Sequence, residues 1–266
     1  MIDRQILEDM MKTKTRIQIA YELGLTLHQV RKMIIDCGLS YSHAKFGYIS
    51  TNLTNKQKQI VTACMLGDGT INKGGNFIMK MKLGSRLYME SLQHALVPIA
   101  RPLTIFSKPK PEIVNGKIVD TDEKLWQCRF QTHRNKYFKQ LRLKWYPNGV
   151  KTVPNGLKIN DFILSHWFCQ DGYNCQQIRA AMLFTLAFTV DEVNVLIDKI
   201  QRCGIECKIN FNKAKPLIRI GSKNYFNFIR KISPYIVTND MQYKIDTSMA
   251  LLPCKMRLKK STWPVS

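Results

Sequence analysis

Acidic residues are the scarce class in this chain: 19 Asp and Glu stand against 41 Lys and Arg, a formal charge of +22 over 266 residues. The shortage excludes a cationic partner as the default and makes a polyanion, nucleic acid first, the expected one. Long apolar runs are missing as well. No run approaches the roughly 18 residues that cross a bilayer, so no membrane partner is expected. The opening MIDRQILEDMMK is polar and of mixed charge, unlike a signal peptide. An intracellular protein that works where DNA is, in a bacterial or phage-infected cytoplasm or an organelle matrix, is the expectation. Among eight cysteines none forms a Cys-x-x-Cys pair, and Cys203 with Cys207 has no second pair nearby. A zinc site is therefore not expected, and the thiols read as reduced and buried. Apolar residues at 45% and aromatics at 10% are ordinary and suffice for a sizeable core.

The chain is organised around Ile60–Ile71, IVTACMLGDGTI. Thr54 and Gln57 have capping-box spacing, so a helix is expected from about Lys56. Ala63 and Gly67 share one face and permit a close helix approach. The helix ends at Asp68-Gly69, which places a carboxylate at its tip. Alone, the stretch is equally an ordinary core helix closed by an Asp-Gly turn. The pattern recurs in Asn160–Gly172, NDFILSHWFCQDG, with Asn160 as the cap and Asp171-Gly172 at the end. Laying Asp171 on Asp68 aligns Phe168 with Met65 and Cys169 with Leu66, which suggests a duplicated domain.

After the first motif, Phe77, Met79, Met81 and Leu83 alternate with Lys80 and Lys82. Ser85–Ile99 reads as helix, Leu103–Phe106 as strand, and Lys108–Glu123 as a hairpin excursion turning at Asn115-Gly116. On the return strand Trp126, Cys128 and Phe130 face the core, with Gln127, Arg129 and Gln131 outward. Arg134–Trp145 reads as helix. The second repeat gives a strand over Arg179–Phe188 and a helix over Thr189–Gly204 with a Thr189–Glu192 capping box. Strands follow in which Cys207, Ile209 and Phe211 alternate with Lys208, Asn210 and Asn212, and Pro216–Gly221 carries Arg219. A last helix, Asn224–Tyr235, echoes the first repeat, with Tyr225, Phe226 and Arg230 matching Tyr137, Phe138 and Arg142. The fold class is therefore α+β: two pseudo-symmetric αββαββα repeats whose antiparallel sheets form a saddle, plus a small all-α N-terminal domain. The domains are 1–50, 54–153, 154–250 and a basic tail, 251–266. Their charges are unequal: +2 over 1–50, +12 over 54–153 and +8 over 154–266.

Each sheet's upper face is rich in cations and amides and can read or grip a duplex, although a solvated sheet surface shows the same alternation. Arg129, Arg179, Arg219, Gln127, Gln131, Asn210 and Asn212 are the residue types that pair with base edges. Lys80, Lys82, Lys108 and Lys110 suit phosphates better, and Lys208 is a further DNA-binding candidate. Arg16–Leu39 has helix-turn-helix spacing, with Ala20, Gly24 and Val30 in place and Thr26 as a cap. Leu27, Val30, Met33 and Ile34 are expected inward, while His28, Gln29, Arg31 and Lys32 are expected toward DNA. A plain helical hairpin remains the alternative there.

VTACMLGDG and LSHWFCQDG together resemble the paired motifs of monomeric LAGLIDADG homing endonucleases, most closely the mitochondrial intron-encoded, two-repeat branch. The likeness extends through KTVPNGL, AFTVDEV and YIVTNDMQYKI, covers roughly 54–250, and leaves 1–50 outside. It implies a monomeric, site-specific nuclease that makes a staggered double-strand break in a long asymmetric target. It also implies Mg²⁺, with Mn²⁺ as a substitute, held by Asp68 and Asp171 with help from the Gly67 and Gln170 carbonyls. Lys151 and Lys244 match the family's basic active-site positions. Gln170 departs from the pattern where a second acid often stands, and His166 is bulkier than the usual small residue. The alternatives are an intron RNA maturase or a non-cleaving DNA-binding regulator.

Overall fold

A computed structural model of the chain describes residues 3–14, 16–39, 52–106, 112–114, 117–119 and 126–252. The chain divides into two compact units, Met1–Tyr48 and Ile49–Ser266. Lys108, Lys110, the Asn115-Gly116 turn and residues 253–266 of the tail lie outside the described residues.

The first unit is helical: α1 (Arg4–Thr13), α2 (Arg16–Glu22) and α3 (Leu27–Asp36). Its small core is Leu7, Ile19, Ala20, Val30 and Ile34. Gly24, at φ +61°, makes the turn between α2 and α3, a conformation that costs glycine little. Helix α1 is absent from the two-helix sequence reading. Its signals were Asp3, whose carboxylate accepts from the Gln5 N–H, and Leu7, Met10 and Met11 on one face. Thr26 caps α3 as expected, but it does so in a capping box with Gln29. The Gln29 amide oxygen accepts from the Thr26 N–H at 2.8 Å, so that side chain closes the helix start and is not a free reader. His28, Arg31 and Lys32 are exposed, Met33 is half-buried, and the side chain of Leu27 lies outside the described part.

The second unit repeats one pattern twice. The first copy runs α4 (Asn55–Leu66), β1 (Thr70–Ile71), β2 (Phe77–Lys82), α5 (Arg86–Ala95) and β3 (Thr104–Phe106). An excursion of β4 (Glu112–Val114) and β5 (Lys117–Val119) follows, then β6 (Gln127–Gln131) and α6 (Lys136–Trp145). The second runs α7 (Asp161–Asp171), β7 (Gly172–Cys175), β8 (Ala180–Phe184), α8 (Val190–Gln201), β9 (Lys208–Asn212), β10 (Lys215–Ile220) and α9 (Ser222–Ile232), and a short α10 (Ser248–Leu251) ends the described chain. The antiparallel sheets have matching orders, β1-β2-β6-β3 and β7-β8-β10-β9, and among the described residues β4 and β5 form a separate two-stranded sheet.

Both motif helices are buried on nearly all sides, as helices at the centre of a core must be. Val61, Ala63, Cys64 and Met65 of α4 and Leu164, Trp167 and Phe168 of α7 share one core with α5 and α8. The Thr54–Gln57 capping box opens α4, and the Asn160 side chain accepts from the Ile163 N–H to open α7. The glycines after the aspartates have a steric reason. A Cβ at Gly69 would lie 2.6 Å from the Cys64 carbonyl oxygen, and one at Gly172 would lie 2.3 Å from that of Phe168. At each site the chain leaves the helix against its own last turn, and only glycine fits.

Several expectations need correction. Arg179 precedes β8 in a left-handed turn at φ +49°. There its Nε donates to the Ala250 carbonyl at 3.0 Å and its guanidinium lies over the Phe226 ring, so it braces the C-terminal segment and does not sit on the sheet face. The strand read as Arg179–Phe188 is only Ala180–Phe184. Phe211 is 53% exposed beside the β9–β10 turn and is not in the core. The echo between α6 and α9 fails at its rings, because Phe138 is buried and its supposed match, Phe226, is exposed. Helix α5 ends at Ala95, short of the Val97-Pro98 bond.

Candidate active site and nucleic-acid interface

Helices α4 and α7 lie side by side and point the same way. Near their starts the Asn160 Nδ2 donates to Gln59 Oε1 at 3.0 Å. At their ends the Asp68 N–H donates to Gln170 Oε1 at 3.1 Å. Parallel alignment brings both Asp-Gly ends, one from each repeat, to the same place. Helix α7 carries Asp171 as its last residue, whereas α4 stops at Leu66 and leaves Asp68 beyond its Gly67 cap.

Two lysines close the site with matching geometry. Lys151 Nζ donates to the Gly69 carbonyl at 3.1 Å and to that of Gly67 at 2.8 Å. Lys244, on a 3₁₀ turn over Asn239–Lys244, donates to the Gly172 carbonyl, the counterpart of Gly69. Lys151 lies 82 positions from the Gly69 it grips, and Lys244 lies 72 from Gly172. The Gly67 carbonyl, expected as a metal donor, is thus already shared with Lys151. His166, the bulky departure, stacks on Tyr88 of α5 and meets the edge of Phe162, one turn earlier on its own helix.

The electrostatics are those of charges held away from water. Burial, and then the neighbouring Asp68, pushes the Asp171 carboxyl up to about 7 against the pull of Lys151 and Lys244. Asp68 is also raised by the protein around it and lowered by the two lysines, but it is exposed, so solvent keeps it the more readily charged of the pair. Burial brings Lys151 down to about 8, opposed by Asp171 and Asp68, and it lowers Lys244 too. A divalent cation fits this donor set: two crowded carboxylates and backbone carbonyls, all hard oxygens. Among the described residues no group of three or more His, Cys, Asp or Glu forms a closed metal cage. Such a site leaves positions for oxygens of a substrate.

An open cleft of about 570 Å³ runs from Asp68 and Lys244 along the first sheet, past Thr70, Lys80, Lys82 and Gln127. Pairing places Lys80 opposite Arg129, Lys82 opposite Gln127 and Ile78 opposite Gln131 on one face. That face also holds Thr104, paired with Arg129, and Phe106, paired with Gln127, whose ring lies under Lys80 Nζ at 5.6 Å. The sequence reading missed Thr104 and Phe106, although their spacing on β3 already put them on one face. Arg129 Nη2 donates to Gln131 Oε1 at 2.9 Å, which prearranges two neighbouring side chains.

On the second sheet Arg219 sits between Lys208 and Met182, and Asn210 pairs with Leu217, itself opposite Phe184. Asn212 is exposed at the end of β9 opposite Lys215. This face is less uniformly polar than expected, because Met182, Phe184 and Leu217 share it. Among the described residues, the side-chain nitrogen Nε of Arg219 and the side-chain oxygen of Gln127 are buried and find no hydrogen-bond partner.

The LAGLIDADG DNA endonuclease family model matches residues 58–228. A probable intron-encoded endonuclease 1 from Wickerhamomyces canadensis is 27% identical over 208 residues, spanning 73% of this chain and 86% of that protein. The cytochrome b mRNA maturase bI2 of Debaryomyces hansenii is 26% identical over 74% of this chain and 76% of its own length. Among solved structures, the homing endonuclease I-WcaI bound to its DNA recognition sequence superposes with a TM-score of 0.64 at 25% identity, covering 78% of this chain and 93% of that one.

Proposed function

This chain belongs to the LAGLIDADG DNA endonuclease family, and we propose that it is a site-specific, Mg²⁺-dependent homing endonuclease making a staggered double-strand break. The observation that carries the reading is the meeting of Asp68 and Asp171 at the ends of two parallel helices, each beside a lysine that grips a glycine carbonyl. Asp68 and Asp171 would hold the divalent cation, with the Gly67 and Gln170 carbonyls as secondary donors. The bound cation would stabilise charge that develops on the phosphate and leaving oxygen. Lys151, at a pKa near 8, can hold or release a proton at Nζ close to neutral pH. Lys244 keeps positive charge near the phosphate's path.

The sheet faces hold the duplex. Lys80, Lys82 and Lys208 suit phosphates, while Arg129, Arg219, Gln127, Gln131, Asn210 and Asn212 suit base edges. His28, Arg31 and Lys32 on α3 would extend the contact. Both repeats are in one chain, so a monomer contains both cutting centres. The homing endonuclease I-WcaI, bound to its DNA recognition sequence, supports duplex DNA as the substrate. Kinship with a maturase favours a second reading, in which the same basic faces bind intron RNA; competition between intron RNA and target duplex separates the two.

Cleavage of a target duplex with Mg²⁺ and with EDTA tests the proposal, alongside Asp68→Asn and Asp171→Asn. Each variant should bind the target but lose double-strand cutting by on the order of a thousandfold, leaving slow nicking of one strand. Double-strand cutting at the normal rate by either variant removes that aspartate from the site.

A further inference from the structure

Asp68 and Asp171 are held in different ways. Asp171 is built into α7, but Asp68 lies beyond the end of α4, where the Gly67 and Gly69 N–H groups donate to the Ala63 and Cys64 carbonyls and Lys151 holds the carbonyls on either side of it. Its own N–H is taken by a side chain from the other repeat. Gln170 Oε1 accepts from the Asp68 N–H at 3.1 Å. The other end of that amide is also engaged. Its Nε2 donates to the His166 carbonyl at 2.9 Å, to the Tyr88 hydroxyl at 3.2 Å and to Cys64 Sγ at 3.4 Å. Tyr88 is buried, and its hydroxyl donates in turn to the His166 carbonyl at 3.1 Å. The amide can therefore neither rotate nor withdraw without breaking several bonds.

Room for this crossing comes from Gly67. A Cβ there would lie 2.5 Å from Gln170 Oε1, so the glycine in one repeat and the glutamine in the other are complementary. Gly67 is also the position that matches Gln170 when Asp68 is laid on Asp171. Lacking a side chain, it can return nothing to Asp171. The brace is one-way.

The geometry points to Gln170 as a positioning residue that acts through the backbone of Asp68, supported by Tyr88, so that the two cutting centres depend on it unequally. The strand served by Asp68 needs Gln170 and the strand served by Asp171 does not. This rests on the proposed catalytic role of the aspartates.

The test uses the full chain and two readouts. The first is hydrogen exchange at the Asp68 amide without metal or DNA, which reads the brace itself. The second is the cleavage rate of each strand of an end-labelled duplex target in Mg²⁺, compared with Asp68→Asn and Asp171→Asn. Gln170→Ala should speed exchange at Asp68 and leave Asp171 unchanged. It should slow one strand by roughly tenfold to a hundredfold, as a misplaced catalytic group does, and the other by less than about threefold. The slow strand should be the one most slowed by Asp68→Asn. Tyr88→Phe, which keeps the ring and the core, should produce the same bias more weakly and add little to Gln170→Ala; it carries the test if the alanine variant does not fold. Unchanged exchange at Asp68, equal slowing of both strands, or slowing of the strand assigned to Asp171 overturns the inference. If neither aspartate variant impairs cutting, the catalytic reading fails instead, and the exchange result still decides whether Gln170 braces Asp68.

Discussion

Asp171 carries its charge against its surroundings. Burial and Asp68 raise its carboxyl from 3.8 to about 7, so the folded protein keeps a proton that the unfolded chain releases near pH 4. The folded state binds more protons between those values. Its stability therefore falls as pH rises from about 4 to 7 and levels off above that. In EDTA, Asp171→Asn should match the parent near pH 4 and exceed it at pH 8 by about 1–3 kcal/mol. Denaturant melts at the two pH values read the difference, and a pH-independent gap would show that Asp171 is not held in this way. A cation bound by Asp68 and Asp171 would remove the same penalty, so Mg²⁺ should stabilise the parent more than Asp171→Asn. Among single residues, the aspartates and the two lysines were legible in the sequence because the motif pair and its downstream echoes fix their positions. The brace from Gln170 was not legible. Nothing in Cys-Gln-Asp-Gly indicates that the glutamine side chain leaves its own helix for Asp68, 102 positions earlier.

At the level of elements, the motif helices declare themselves by local chemistry. Capping groups open both, and the Asp-Gly ends close both for a reason seen only in three dimensions. Gly172→Ala drives a methyl to 2.3 Å from the Phe168 carbonyl, whereas a Cβ at Gly221, ahead of α9, meets nothing within 4 Å. Gly172→Ala should cost more than about 3 kcal/mol and Gly221→Ala less than about 1. Equal melting temperatures for the two variants would contradict the close exit at Asp171. Strand alternation located the core side of the first sheet correctly at Phe77, Met79, Cys128 and Phe130. It misplaced Phe211, because alternation says which residues share a face and not how far the core extends along a strand. The α6–α9 echo failed for a related reason. Matched ring residues were paired by type, while burial depends on how each helix rotates onto its sheet, which short-range pattern does not fix. Arg179 was misread because its partner, the Ala250 carbonyl, lies 71 positions away.

In the whole molecule, the two compact units differ sharply in charge. Each has its own core. Residues 1–50 carry only +2, against +12 over 54–153 and +8 over 154–266, so most of the charge that would attract a duplex lies outside the first unit. What the first unit can add is local: His28, Arg31 and Lys32 exposed along the start of α3, with Gln29 committed to its cap. Deleting residues 1–50 leaves both aspartates, both lysines and both sheets in place. The truncated protein should still cut in Mg²⁺, with an unchanged position of both breaks. Its footprint should shorten at one end only, because a single appended unit can lengthen one flank. If Arg31 and Lys32 each neutralise a phosphate, the slope of log affinity against log salt should become shallower by about 1–2, and affinity at low salt should fall more than at high salt. Footprinting and a salt titration on the two proteins decide this. An identical footprint with an identical slope would make α1–α3 an appendage without DNA contact, and would leave recognition wholly to the two sheets.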